Sequence, residues 1–277
     1  MIAFLSPAKN MLEAEVLAQG HPHAEAVNTT MKRIPAEMLT QPIFAEDAFS
    51  IAQELKSYNP WQLESIMDVN PELALKAFGQ LQRFDPDSGE LPAILSYHGL
   101  QYQHLAAWEF SQEEFLTAQK CLRIISGIYG VLRPLDRVMA YRLEMQCRQP
   151  ICGKKLYAYW NSRLCEQLFS EDDTLINLAS KEYSRAILPY ANGRRIITCD
   201  FLIEKPAPKG GKVLRTIATA AKMARGAMAG WIVRQRPETP EQLMEFSLQG
   251  FRFIPGLSTD THYVFSREDL PLSTERA

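Results

Sequence analysis

The spacing of apolar and polar positions changes repeatedly along the chain, and each change marks an element. Ile2–Leu5 is a continuous apolar run stopped by Ser6-Pro7, the pattern of a short buried strand. Residues 10–43 are punctuated by Pro22, Pro35 and Pro42 without a sustained period, which predicts loop with one short helix. Phe44–Ser57 and Trp61–Phe84 read as helical, with Asn59-Pro60 and Asn70-Pro71 supplying breaks and first-turn prolines. Asp85–Gly89 is a turn by composition, and Leu91–Tyr97 reads as a strand. Ser111 and Glu114 make a capping box, and Phe115, Ala118, Leu122 and Ile125 then fall on one stripe, predicting a helix that ends at Ser126-Gly127. Lys155–Phe169 predicts a further amphipathic helix, followed by a strand at Leu175–Leu178. Arg195–Ile203 and Lys212–Ile217 read as strands connected through Pro206–Gly211, and Thr261–Ser266 as the last strand. Ala218–Gln235 is an Ala-rich helix with Gly226 and Gly230 one turn apart, a spacing that admits a close backbone but in a soluble helix is more often mere tolerance. Helices and short strands intermingle with no repeat, low-complexity linker or domain break. The expected fold is therefore α/β in the mixed α+β sense, one domain over residues 1–277.

Composition adds bounds. With 277 residues, 46% hydrophobic and 22% charged, the chain has ample core and is excluded from the disordered and fibrous classes. No run of apolar residues is long enough for a membrane span, and the amino terminus lacks the basic flank of a secretory signal. The five cysteines, at 121, 147, 152, 165 and 199, are odd in number and irregular in spacing, as expected of free thiols in a reducing compartment. A cytoplasmic protein is expected. The net charge of −2 conceals segregation: residues 1–119 carry −10, residues 120–236 carry +12, and the remainder −4. A basic middle segment calls for a polyanionic partner or for internal pairing with the acidic amino-terminal part, and charge alone leaves the two even. A pI near 6.2 falls short of a dedicated nucleic-acid domain.

Five clusters place polar groups beside turns. Ser6-Pro7-Ala8-Lys9 follows the first strand, where a lysine can meet phosphate or carboxylate. Its S-x-x-K spacing lacks the downstream partners of an acyl-transfer site. Ser126–Asp136 contains Gly127, Gly130, Arg133 and Asp136, either a phosphate-holding hairpin or a capped turn with an internal ion pair. Tyr141–Met145 alternates as a strand presenting Arg142 and Glu144 on one face. Asn177–Tyr183 is a strand end entering a helix, with Ser180 as N-cap. Lys222 and Arg225 lie three apart on one helical face. Neither metal-ligand spacing nor a Gly-rich nucleotide motif occurs, so no metal or cofactor is expected.

Taken together, and in this order, these clusters resemble the YaaA family, the bacterial peroxide stress proteins, over essentially the whole chain. The resemblance implies a compact mixed α/β fold with a helix-hairpin-helix element, here at Ser126–Gly130, and a positively charged cleft. It implies DNA binding and protection against oxidative, iron-dependent DNA damage during peroxide stress. The family's polar positions fall on Ser6, Lys9, Arg133, Asp136, Arg142, Glu144, Asn177, Ser180, Tyr183, Lys222 and Arg225. The chain departs from the pattern at Asn10, Leu100, His104 and Met223, the marks of a divergent member, which leaves open whether its cleft takes the same ligand.

Two readings follow. In the first, Lys9, Arg133, Arg142, Lys222 and Arg225 contact DNA phosphates without reading sequence, and Gly127–Gly130 donates backbone N–H groups. In the second, the protein is an enzyme acting on a nucleobase, nucleotide or damaged DNA, with Asn177 reading a base edge and Asp136 or Glu144 as acid–base. If Asp136 and Glu144 merely pair with Arg133 and Arg142, their replacement lowers stability instead. Direct iron handling is the weakest reading, because no ligand cluster is legible.

Overall fold

The computed structural model describes residues 1–206 and 211–269. Ile2–Leu5 (β1) is the strand its apolar run predicts, and all four residues are buried because both faces of the sheet are covered. Seven further strands join it: Leu122–Ser126 (β2), Gly130–Leu132 (β3), Thr174–Leu178 (β4), Arg195–Pro206 (β5), Lys212–Arg215 (β6), Arg252–Phe253 (β7) and His262–Glu268 (β8). Their order is β7-β8-β5-β4-β1-β2-β3, with β6 paired to the far end of β5. β2, β1, β4, β5 and β8 run parallel, while β3, β6 and β7 are antiparallel to their neighbours. In chain order the parallel strands therefore read 2-1-3-4-5, and the winding reverses at β1. In such sheets the crevice beyond the carboxyl ends of the strands at the reversal is where ligands bind. Here that crevice opens between Ser6, after β1, and Ser180, after β4.

Alternation along the strands divides the core into two layers. Ile2, Phe4 and Leu175 pack with Ile51, Leu55, Trp160 and Leu164. Ala3, Leu5, Ile176 and Leu178 pack on the opposite face with Phe115, Ala118, Ala224 and Met228. The second layer centres on the Ala218–Gln235 helix, whose Gly226 and Gly230 are not mere tolerance. A Cβ at Gly226 would overlap the Gln101 carbonyl, and one at Gly230 would lie 2.6 Å from the Leu105 carbonyl oxygen. The short Leu100–Leu105 helix thereby rests directly on the long one. The described residues form a single compact domain, and no helix among them is long and apolar enough to cross a membrane.

Several local expectations require correction. The capped helix is present, with Ser111 and Glu114 bonded reciprocally, but it ends at Cys121. Leu122 and Ile125 belong to strand β2, since an apolar run of this length serves a fully buried strand as well as a helical stripe. Ser126–Gly130 consequently joins two antiparallel strands and is a β-hairpin turn, not a helix-hairpin-helix. Leu91–Tyr97 is not one strand: Leu91–Pro92 and Tyr97–His98 are two-residue pairings separated by the helical turn Ala93–Ser96. Tyr141–Met145 belongs to no strand, contrary to its alternating pattern. Lys155–Phe169 is two helices, Leu156–Trp160 and Arg163–Phe169, broken where Asn161 takes φ 48°. Residues 10–43 hold two α-helices, Ala14–Ala18 and Ala24–Met31, and a 3-10 helix, Ala36–Met38, where one short helix was expected. Most of the Pro206–Gly211 connection (207–210) lies outside the described residues, as do residues 270–277.

Much of the charge segregation is neutralised internally. Arg163–Asp47, Arg234–Glu109 and Arg236–Glu113 tie the basic segment to the acidic amino-terminal part, and Arg195–Glu241 and Lys205–Asp269 tie it to the acidic end.

Candidate functional site

A crevice of about 270 Å³ lies at the winding reversal. Its floor is the Ser6–Ser180 contact, which closes the gap between β1 and β4. The Ser180 N–H donates to Ser6 Oγ at 2.8 Å, and Ser6 Oγ donates to Ser180 Oγ at 3.2 Å. Ser180 thus spends its hydroxyl across the crevice and makes no side-chain cap on Lys181–Ser184, contrary to its expected N-cap role. The Ser6 carbonyl accepts from Gln101 Nε2 and from Tyr102 OH, each at 2.9 Å. Those two side chains come from the short helix held by Gly226 and Gly230, so the long helix positions Ser6 through them.

The walls carry the charge. Lys9, Arg142, Lys222 and Arg225 line the crevice together with Glu144 and Glu182. Lys222 and Arg225 both project into it, as their spacing of three predicts. Neither makes an ion pair among the described residues, whereas Lys9 Nζ sits 2.8 Å from Glu144 Oε1 and Arg142 3.5 Å from the same oxygen. The buried Nε atoms of Arg142 and Arg225 have no hydrogen-bond partner. Burial pushes the Arg225 guanidinium below its ordinary value, partly opposed by the charge of Asp200. A buried cation with an unfilled donor is costly unless an anion completes it.

Glu182 is the crevice carboxylate that departs from ordinary behaviour. Burial pushes its pKa up, the nearby Glu144 charge adds to the rise, and the Gln146 N–H donated at 3.3 Å partly opposes it. Tyr183, buried at the crevice wall, is raised well above the usual phenol value by burial first and the Glu182 charge second. Tyr141 joins a buried hydroxyl chain, 2.9 Å from Tyr97 OH and 2.7 Å from Ser126 Oγ, and is pushed up to about 12 by burial.

Of the residues singled out from the sequence, Ser6, Lys9, Arg142, Glu144, Ser180, Tyr183, Lys222 and Arg225 meet in this crevice. The other five do not line it. Asp136 is fully buried, accepting from Thr40 Oγ1 at 2.6 Å, the Arg133 N–H at 2.7 Å and Arg133 Nε at 3.0 Å. Arg133 also donates to the Gln41 carbonyl at 2.7 Å. This pair anchors the segment around Thr40 to the strand end. Asn177 is likewise consumed internally, accepting from the Ala179 N–H at 3.0 Å and donating to Thr198 Oγ1 at 3.2 Å. Gly127 and Gly130 serve packing: the Gly127 carbonyl accepts from Trp160 Nε1 at 3.0 Å, and Gly130, at φ +67°, leaves room for the Trp160 ring. Among the divergent positions, Asn10 and Leu100 line the crevice, while His104 is engaged with Gln249 at 2.7 Å. Glu182 and Gln101 were not singled out. Each lies inside a stretch already noted, and only the fold turns its side chain to the crevice.

Comparison with known proteins places the chain in a family. A model of the family described as peroxide stress protein YaaA matches residues 1–257. A UPF0246 protein of Clostridioides difficile is 33% identical over 270 residues, covering 97% of this chain and 100% of its own. A UPF0246 protein of Lactobacillus helveticus is 38% identical over 228 residues, 82% of this chain and 88% of its own. One from Agathobacter rectalis is 34% identical over 270 residues, 97% and 99% respectively. The chain belongs to the YaaA peroxide stress protein family.

Proposed function

We propose, from membership of the peroxide stress family, that this protein limits oxidative damage by binding DNA at the crevice between β1 and β4, one nucleotide unit at a time. The observation that carries the reading is the pair Lys222 and Arg225, which face the crevice without an acidic partner among the described residues while Arg225 keeps an unfilled buried donor. Phosphate fits that deficit in charge and in acceptor oxygens. At 270 Å³ the crevice is close to the lower bound of about 300 Å³ for small-ligand sites, too small for a duplex and suited to an extruded or single-stranded nucleotide. Contacts of this kind confer affinity without sequence preference. The test is fluorescence anisotropy with labelled duplex and bubble DNA across a salt series, for the wild type and Lys222→Ala/Arg225→Ala. Steep salt dependence is expected, with a slope reduced by up to about 0.9 per lost phosphate contact in the double variant. Absence of binding at low salt, or an unaltered double variant, refutes it.

A second reading, an enzyme acting on a nucleobase, nucleotide or damaged DNA, is favoured by one observation. Glu182, with its raised pKa, faces the same crevice as the Ser6–Ser180 pair and Glu144, so the acid–base role assigned to the buried Asp136 passes to it. Glu182→Gln would then abolish turnover while leaving DNA affinity intact. Equal loss of both counts against catalysis.

A further inference from the structure

We propose that Lys9 and Arg142 form a second anion subsite, held in the free protein by Glu144 and vacated when a ligand phosphate displaces that carboxylate. This rests on the reading of the crevice as a phosphate site, and adds to it a second contact and an internal competitor. The three side chains stand on a ridge. Lys9, Arg142, Leu143 and Glu144 line both the 270 Å³ crevice and a neighbouring cavity of 500 Å³ that extends toward Ser65, Gln146 and Arg148. A strand passing from one to the other must cross that ridge.

Glu144 satisfies its two cations incompletely. Both converge on a single oxygen, Oε1, and the Arg142 contact is long at 3.5 Å. Arg142 is 13% exposed and its buried Nε has no partner, so the guanidinium fork has capacity that one carboxylate oxygen leaves empty. Lys9, at 62% exposed, is open to an incoming ligand. Glu144 Oε2 accepts only at 3.4 Å, from Gln146 Nε2, and the neighbouring Glu182 charge opposes Glu144 where it stands. A phosphodiester can present both of its non-bridging oxygens to the cations that now share Glu144 Oε1, and sends Glu144 away from Glu182. The ligand class that follows is a single strand with consecutive phosphates, one on Lys222 and Arg225 and the next on Lys9 and Arg142.

The experiment measures binding of a short fluorescein-labelled single-stranded oligonucleotide to wild type, Glu144→Gln and Lys222→Ala/Arg225→Ala. Glu144→Gln should bind about three- to tenfold tighter, since one competing charge is removed. Its salt slope should steepen by up to about 0.7, because the subsite holds one phosphate and each single-strand phosphate contact contributes about 0.7. Folded Glu144→Gln that binds equally or more weakly overturns the proposal, making Glu144 a positioning residue for Lys9 and Arg142. If it fails to tighten while Lys222→Ala/Arg225→Ala weakens binding, the subsite is refuted and the crevice reading stands. If it tightens while the double variant binds like wild type, the subsite stands and the crevice reading fails. A wild-type measurement guards against misfolding: the bound oligonucleotide should protect Lys9 from amine acylation and raise carbodiimide labelling of Glu144. Unchanged labelling at both residues of the saturated complex also overturns it.

Discussion

Gly226→Ala perturbs the contact from which the crevice floor is built. The added Cβ would overlap the Gln101 carbonyl oxygen and lie 2.8 Å from its carbon and 3.0 Å from the Leu105 nitrogen. All three are backbone atoms, so no rotamer change relieves the clash. At Gly230 the corresponding Cβ lies 2.6 Å from the Leu105 carbonyl oxygen, and reaching an ordinary 3.4 Å contact requires about 0.8 Å of separation. Gly226 requires more. Overpacking of this kind costs about 1–3 kcal/mol, and alanine's better helix propensity returns about 1 kcal/mol. The Gly226 overlap lies at the severe end of that range, so the net loss is about 2 kcal/mol, and it lowers the melting temperature by roughly 2–4 °C per kcal/mol in a chain of this size. Displacing the Leu100–Leu105 helix also moves Gln101 and Tyr102 off the Ser6 carbonyl, so anion affinity should fall with stability. Gly79 is the matched control. It lies inside the Pro71–Arg83 helix, where a Cβ would meet only Arg83 Nη1 at 3.8 Å, and Gly79→Ala should stabilise by up to about 1 kcal/mol. Urea unfolding followed by circular dichroism measures both. A Gly226→Ala protein as stable as wild type would refute the close-contact account.

Two further outcomes are expected. The Glu182 pKa is raised in the folded state, so its contribution to stability is complete below the ordinary glutamate value and is lost as pH rises through the raised one. Glu182→Gln should remove that part of the pH dependence and gain stability at neutral pH, and parallel unfolding curves for the two proteins from acid to neutral pH would contradict the assignment. The second concerns thiols. Burial pushes every cysteine above the ordinary thiol value, Cys121 and Cys165 to about 11, so thiolate is scarce at neutral pH. Native protein should react with a chromogenic disulfide reagent far more slowly than unfolded protein, and prompt release of one equivalent would contradict this.

Local patterns in the sequence determined the elements that rest on short-range physics. The Ile2–Leu5 run, the Ser111–Glu114 capping box and the Asn-Pro breaks before Pro60 and Pro71 are each legible because the interactions they announce lie within four residues. The side-by-side placement of Lys222 and Arg225 follows from helical spacing alone. Tertiary structure decided the rest. Whether Leu122–Ser126 continued a helix or began a strand depended on β1 lying ready to pair with it, an interaction across more than a hundred residues. The same pairing made Ser126–Gly130 a β-hairpin turn. Asp136 and Glu144 each carry an arginine beside them in the sequence. Packing closed Asp136 into the core and left Glu144 between two cavities. Composition cannot separate these outcomes, since the energetic difference lies in which side chains from distant segments exclude water from each carboxylate.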